Sequence, residues 1–417
     1  MAARCFLALF CATRPLWLPN TAAQPTQRAW AALPLLQAGK KTMNTFAISP
    51  CTAVINLGAI KRNYQTMTAH GTMMPVIKSD AYGHGMLPVA AALGEMGARH
   101  FAVGIVEEGL ALRAAGHDQS IVTLLGGHSQ EDMANAYAHR ITPLVHSFDS
   151  LQRAAACGSA EKPFAVGIKC NTGMTRLGFE ADELPALLDA LRSLPQLKPV
   201  LALSHFACSD MPQEQAYTAQ QLHIFAAMSD TLRDAFPEMR RSLANSAATL
   251  SHACAYELCR PGIVLYGGNP FYGTEQQALG AGLEWAMSLK TPVLQVREIE
   301  AGASVGYGRL FTASRRTRVA VLPVGYADGF ARASSTKGKI CLHGQLVPQI
   351  GRVCMGMIMV DVSSLPAVHE QDEAWILGGA QGGAQGWNAQ QWADVWGSIP
   401  YEVLCLWGRN KREYYTA

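Results

Sequence analysis

From Met73 onward the chain alternates short apolar runs with segments whose apolar residues recur at helical spacing. The runs at 73–79, 101–105 (FAVGI), 121–126 (IVTLLG), 141–145, 164–169 (FAVGIK), 198–204, 240–245 and 261–266 read as strands. Between them, 130–139, 182–193 and 212–235 read as amphipathic helices. Such an alternation predicts an α/β fold, and its eight repeats favour a closed (β/α)8 barrel over an open doubly wound sheet. No glycine fingerprint of the dinucleotide-binding kind follows an early strand, which argues against the open alternative. Near residue 285 the texture changes. TPVLQVREI, TRVAVLPVGYA, KICLHG, QLVPQIG and MIMVDV are strand-like runs separated by glycines, with no clear helix before 388–396. The expected organisation is an extension over 1–45, a barrel over 46–284 and a mostly-β domain over 285–417.

Composition narrows the function classes. Among 417 residues, 49% are hydrophobic and 16% charged, as in an ordinary globular protein long enough for one large domain and a second. A formal net charge of +3 gives no footprint for nucleic acid. Eleven cysteines without framework spacing read as reduced thiols of a cytoplasmic protein. Neither CxxC nor HExxH occurs, so no metal site is expected, and no apolar stretch is long enough to span a bilayer. Residues 1–48 carry no acid. CFLALFCA (5–12) has the look of a short secretory region, but Arg14 and two prolines follow it, and Met43 offers a later start. The extension therefore reads as disordered or as an overlong start.

Candidate chemistry begins at PVIKSDAYGHGM (75–86), where an apolar run ends in Lys78. Burying an unpaired ammonium is costly, so the amine either reaches water or is held neutral as an imine-forming nucleophile. Tyr82 and the glycines around His84 supply a phenol and flexible backbone for an anionic group. CRPGIVLYG (259–267) places Arg260 before a Pro-Gly step, and NSAATL (245–250) offers Ser246 either as a phosphate ligand or as a plain helix cap. His205 ends the run in LSHFACSD, while Lys169 and Arg176 lie on the same expected rim in IKCNTGMTRLGF (168–179). In the β domain, Tyr307 sits between glycines in ASVGYGRLF, and VGYADGFAR and GRVCMGMIMVDV add Tyr326, Arg332, Arg352 and Met355.

These blocks, in this order, resemble the alanine racemases, pyridoxal-phosphate enzymes with an N-terminal barrel and a C-terminal β domain. The resemblance runs from about residue 46 to PYEVLCLWGRNKREYY (400–415). It implies interconversion of L- and D-alanine by two bases, supplying D-alanine for peptidoglycan. It implies that Lys78 holds pyridoxal 5′-phosphate and serves as one base. Tyr307 is the implied opposing base, reaching the cofactor from the second subunit of a homodimer. By the same resemblance Arg260 faces the ring nitrogen, and His205 links it to the tyrosine. Arg176 contacts cofactor and substrate carboxylate, supported by Lys169, which many members carry as a carbamate. Tyr82, Ser246, Gly262, Ile263 and Tyr401 match the phosphate-holding set, Met355 and Tyr326 the substrate-facing set, and Asp210, Arg332 and Arg352 the access corridor.

The physics of the reaction agrees with that assignment. Two bases on opposite faces of a planar carbanion spare a single base from moving around it. A guanidinium never accepts a proton, so Arg260 would leave a ring nitrogen unprotonated. Three positions depart from the family pattern: Gly356 stands where an Asp is usual, Asn171 where an Asp is common, and Ser79 where an Ala is common. Competing readings are a barrel-type amino-acid decarboxylase, against which Arg260 argues, a barrel-only cofactor carrier, against which the β domain argues, and a racemase of serine or a wider range.

Overall fold

The computed structural model describes residues 50–251, 256–379 and 386–417. The expected extension lies outside them. The described chain opens with strand β1 (Thr52–Asn56), followed by a helix over Leu57–Thr68. Six parallel strands come next: β2 (His100–Val103), β3 (Ser120–Thr123), β4 (Ile141–Val145), β5 (Phe164–Lys169), β6 (Leu197–Leu203) and β7 (Arg240–Ser242).

Two extended segments that carry only isolated bridges complete the ring. Residues 72–77 pair with β2 through Ile77 N–H to Ala102 O (2.9 Å) and with 259–261 through Val76 N–H to Pro261 O (2.8 Å). Leu258 N–H to Arg241 O (3.2 Å) and Arg260 N–H to Ala244 O (2.9 Å) close the remaining seam onto β7. The barrel is therefore eightfold and closed, as the alternating pattern predicts. Two expected strands are displaced. The apolar run 73–79 ends as a strand at Ile77, and 261–266 is not a strand at all. The last barrel segment lies at 258–261, and Ile263–Tyr266 forms a tight 3-10 turn ending at Gly267 (φ +94°). All four residues of that turn are buried. Apolar sequence marked burial correctly there, but could not separate a buried turn from a buried strand.

The barrel helices follow their capping and spacing signals. Ser129 and Asp132 cap Gln130–Ala138 reciprocally, and Ser147 caps Phe148–Ala155 through Ser150 N–H. Leu184, Leu187, Leu188 and Leu191 turn one face of Leu184–Ser193 inward. Truncating a fully buried member such as Leu187 to Ala costs about 2–5 kcal/mol.

The β domain holds β8 (Met287–Pro292), β9 (Gln295–Ile299), β10 (Ser304–Val305), β11 (Phe311–Thr312), β12 (Thr317–Leu322), β13 (Lys339–Leu342), β14 (Gln345–Ile350), β15 (Ile358–Asp361), β16 (Glu373–Leu377) and β17 (Lys411–Tyr415). Nine of the chain's strands form one sheet in the order β17-β1-β8-β16-β13-β14-β15-β12-β9. Residues 52–56, which the sequence reading groups with the barrel, thus pair instead with β17 (parallel) and β8 (antiparallel). Against this sheet packs the Ala389–Trp396 helix, capped by Asn388 and ended by Gly397 (φ +68°). Trp392 is fully buried there and donates its indole N–H to Ile376 O at 2.7 Å. Among the described residues no helix is long and apolar enough to cross a membrane.

Candidate active site

Parallel strands deliver their C-terminal ends to one rim, and the barrel's candidate side chains collect there. Lys169 is the last residue of β5, and His205 follows β6 by two. Ser246 begins the Ser246–Leu250 turn of helix after β7, with Asn245 as its cap. Arg260 closes the last barrel segment, and Lys78 follows Ile77 at the end of the first.

The segment after Lys78 has an unusual backbone. Ser79, Asp80, Ala81 and Tyr82 all adopt left-handed conformations, with φ between 53° and 55°. Each non-glycine residue there costs about 1–2 kcal/mol, so the turn persists only because its surroundings hold it. Glu108, at the start of the Val106–Ala114 helix, is one such hold. Its carboxylate accepts from Ser79 N–H at 2.6 Å and from Gly104 N–H at 2.6 Å. The turn leaves the half-buried Lys78 and the buried Tyr82 at the rim.

The rim is rich in cations. Burial, then the neighbouring Arg176 guanidinium, holds the Lys78 amine below the ordinary lysine range, while Glu108 opposes the shift. Burial, followed by Arg260, lowers Lys169 to about 7, and its Nζ donates to Cys170 O at 3.3 Å. His205 lies well below the ordinary histidine value, through burial first and then Arg260, Lys169, Arg176 and Lys78. Arg260 is itself buried and locked in place. It donates to Ser242 Oγ (2.5 Å), Ser204 O (2.7 Å), Leu243 O (3.2 Å) and His205 Nδ1 (3.1 Å). Such a site would repel a cation and welcome an anion.

Next to this cluster in the chain is a corner of hydroxyls and backbone. Gly262 N–H donates to Ser246 Oγ at 2.9 Å. A Cβ on Gly262 would stand 2.6 Å from the Tyr82 hydroxyl, so only glycine brings the two together. The Tyr82 ring lies 4.9 Å from Tyr266 and 5.8 Å from Tyr401. Burial raises both Tyr82 and Tyr401, with Tyr401 and Asp210 respectively adding to the shift, so both phenols stay protonated donors. Ile263 is buried behind Gly262.

The β-domain candidates form a separate group. Tyr307 is 72% exposed and lines an apolar groove with Ile299, Val305, Val319, Met357 and Met359. Its carbonyl accepts from Arg352 Nε at 3.4 Å. Tyr326 N–H bonds Cys354 O and Ala327 N–H bonds Met355 O, which sets the exposed Tyr326 beside the exposed Met355. Among the described residues the hydrogen bond and the groove neighbours of Tyr307 lie within the β domain. Arg332 lies exposed on a 3-10 turn. A Cβ at Gly356 would meet nothing within 4 Å, so no neighbour in the single chain demands glycine there.

Sequence reading missed Glu108 and Cys405. The first was legible as an acid in the opening turn of a helix just past a barrel strand. Cys405 sits one helical turn beyond Tyr401 on Pro400–Trp407; burial raises its thiol, and the charges of Arg409 and Lys78 oppose that shift.

Comparison with known proteins agrees with this layout. Residues 55–270 match the family model "Alanine racemase, N-terminal domain", and residues 286–415 match "Alanine racemase, C-terminal domain". The chain is 45% identical over 362 residues to the alanine racemase of Nitratidesulfovibrio vulgaris strain Miyazaki F, covering 86% of this chain and 96% of the relative. It is 40% identical over 365 residues to that of Lawsonia intracellularis, covering 85% and 95%. Among solved structures, the biosynthetic alanine racemase of Pseudomonas aeruginosa superposes with a TM-score of 0.77 at 33% identity, covering 88% of this chain and 100% of that one. The Bartonella henselae alanine racemase, solved with covalently bound pyridoxal phosphate, gives 0.77 at 30% identity with the same coverage. The chain belongs to the alanine racemase family.

Proposed function

We propose that this protein interconverts L- and D-alanine, using pyridoxal 5′-phosphate held by Lys78. The cofactor, when bound, withdraws electrons and so acidifies the proton on the substrate's α-carbon. The observation that carries the reading is the cation-rich rim beside a glycine-permitted corner of hydroxyls. The donors fit a phosphorylated aldehyde. Tyr82, Ser246, Tyr401 and the backbone of Gly262 and Ile263 would hold its phosphate, with an amine of depressed basicity nearby.

The chain's own groups then divide the work. Lys78 would exchange a proton with one face of the substrate's α-carbon. Tyr307 exchanges a proton with the other face and reaches the site from a second copy of the chain in a homodimer. Its high exposure, shared by Met355 and Tyr326 of the same domain, supports a surface that a second copy covers. Arg260 would leave a cofactor ring nitrogen unprotonated, because guanidinium neither gives nor takes a proton near neutrality. His205, neutral and anchored on Arg260, offers its other nitrogen toward the tyrosine. Arg176 receives the substrate carboxylate, and Lys169, whose lowered basicity suits carbamate formation, supports it. Met355 and Tyr326 border the substrate, and Asp210, Arg332 and Arg352 line the corridor leading in. The barrel (46–284) thus binds, and the β domain (285–417) supplies the second base.

The product would serve peptidoglycan synthesis from the cytoplasm. A chiral assay of individual amino acids with added cofactor tests the reading. Racemisation of alanine above serine and larger residues supports it, and loss of optical activity with none of them refutes it.

A further inference from the structure

The left-handed turn that carries Lys78 and Tyr82 is gripped from a second side, by the far end of the chain. Asp80 forms an ion pair with Arg412 of β17. The other Asp80 oxygen accepts from Met86 N–H at 2.7 Å, and Arg412 Nη1 also reaches Gly83 O at 3.5 Å. Two close approaches reinforce the grip. A Cβ on Gly83 would lie 2.5 Å from Leu404 O, and one on Gly85 would lie 2.1 Å from the Tyr414 hydroxyl. Gly83 (φ +83°) and Gly85 (φ +88°) are therefore the glycines that let the segment 404–414 close onto the turn.

We propose that Arg412, acting through Asp80, is a positioning residue that keeps the turn in the shape needed to hold the cofactor. The inference rests on the reading that Lys78 and Tyr82 bind pyridoxal phosphate. Glu108 pins the turn at Ser79 from the barrel, and Arg412 pins it at Asp80 from the last strand of the nine-stranded sheet. Four successive left-handed residues have no local reason to stay so, and an untethered turn would relax to ordinary backbone. Cofactor affinity then falls by the fraction of time the binding-competent shape is present.

The test titrates the apoenzyme with pyridoxal phosphate, following cofactor absorbance, and records apoenzyme unfolding in parallel. Arg412→Met should weaken cofactor binding about tenfold or more, as expected if the competent shape falls to roughly a tenth. Arg412→Lys, which keeps the charge, should restore most of the affinity. Asp80→Asn keeps an acceptor for Met86 N–H while removing the charge that Arg412 meets, and should fall between. It also serves if Arg412→Met does not fold. Arg412→Met and Asp80→Asn both binding within twofold of the native chain, even with lowered unfolding temperatures, would reduce the pair to a structural contact and overturn the proposal. A native chain without saturable binding would instead remove the underlying reading, and the inference with it.

Discussion

Arg260 Nη2 donates to His205 Nδ1 across 3.1 Å. A guanidinium has only donors to give, so Nδ1 must be the bare nitrogen, and the proton of the neutral ring resides on Nε2. Arg260 therefore fixes both the charge and the tautomer of His205 while its own position is set by Ser242, Ser204 and Leu243. Nitrogen NMR of the histidines should show His205 neutral and protonated on Nε2 well below pH 6.5. Arg260→Met should let its pKa rise, since a cation that opposes protonation is gone. The change should also destabilise the fold by about 1–3 kcal/mol through the polar groups it leaves unpaired. An imidazolium in the native protein at pH 7 would contradict the arrangement.

Gly262 tests the phosphate corner. Adding one methyl in Gly262→Ala places a carbon 2.6 Å from the Tyr82 hydroxyl, and the phenol must swing away. Overpacking of this kind costs about 1–3 kcal/mol. The expected outcome is a folded protein with at least tenfold weaker pyridoxal-phosphate affinity, read by equilibrium titration. Unaltered affinity would place the phosphate elsewhere.

His84 makes stability depend on acid. Its ring is fully buried and stacked 4.4 Å from Tyr266, and Nδ1 lies 3.0 and 3.1 Å from Ala81 O and Tyr82 O. Burial lowers its pKa from 6.5 to about 4. Between those values the unfolded chain binds a proton that the folded chain refuses, so stability falls as pH falls through that window. The slope from this group approaches about 1.4 kcal/mol per pH unit and vanishes above the unfolded value. Denaturant titrations should show it, and His84→Asn, which retains a donor near Nδ1, should flatten it. An unchanged slope in the variant would assign the acid sensitivity to other groups.

Much of this layout could be read before any coordinates. The order of apolar runs predicts the barrel, and Lys78, Lys169 and His205 do lie at strand ends on one rim. What stayed hidden shares a physical cause. Periodicity does not tell a buried 3-10 turn from a strand, so Ile263–Tyr266 reads as a strand in the sequence. Strand partners distant in sequence leave no local mark, so the pairing of β1 with β17 and the Asp80–Arg412 contact were invisible. The left-handed run at 79–82 was equally silent, because Ser, Asp, Ala and Tyr carry no local demand for positive φ. Glu108 and Cys405 carry fainter signals, an opening-turn acid and an i+4 step from Tyr401.

Tyr307 carries the other half of the proposed chemistry. Tyr307→Phe removes only a hydroxyl from a side chain 72% exposed in a single chain. Folding stability should change by no more than about 0.5 kcal/mol, as for other surface substitutions. Racemisation should fall by roughly 10²–10⁴, the usual contribution of a positioned proton donor or acceptor, with cofactor still bound. Near-native turnover in this variant would remove Tyr307 from the reaction.

Whether Lys78 and Tyr307 of different chains meet at one site is decided by mixing inactive variants. Lys78→Ala and Tyr307→Ala chains, each silent alone, are combined under conditions where labelled subunits demonstrably exchange. In a two-fold dimer every mixed pair then holds one site with both groups intact, so roughly a quarter of native racemisation should return. Exchange without any recovered activity would contradict the shared site.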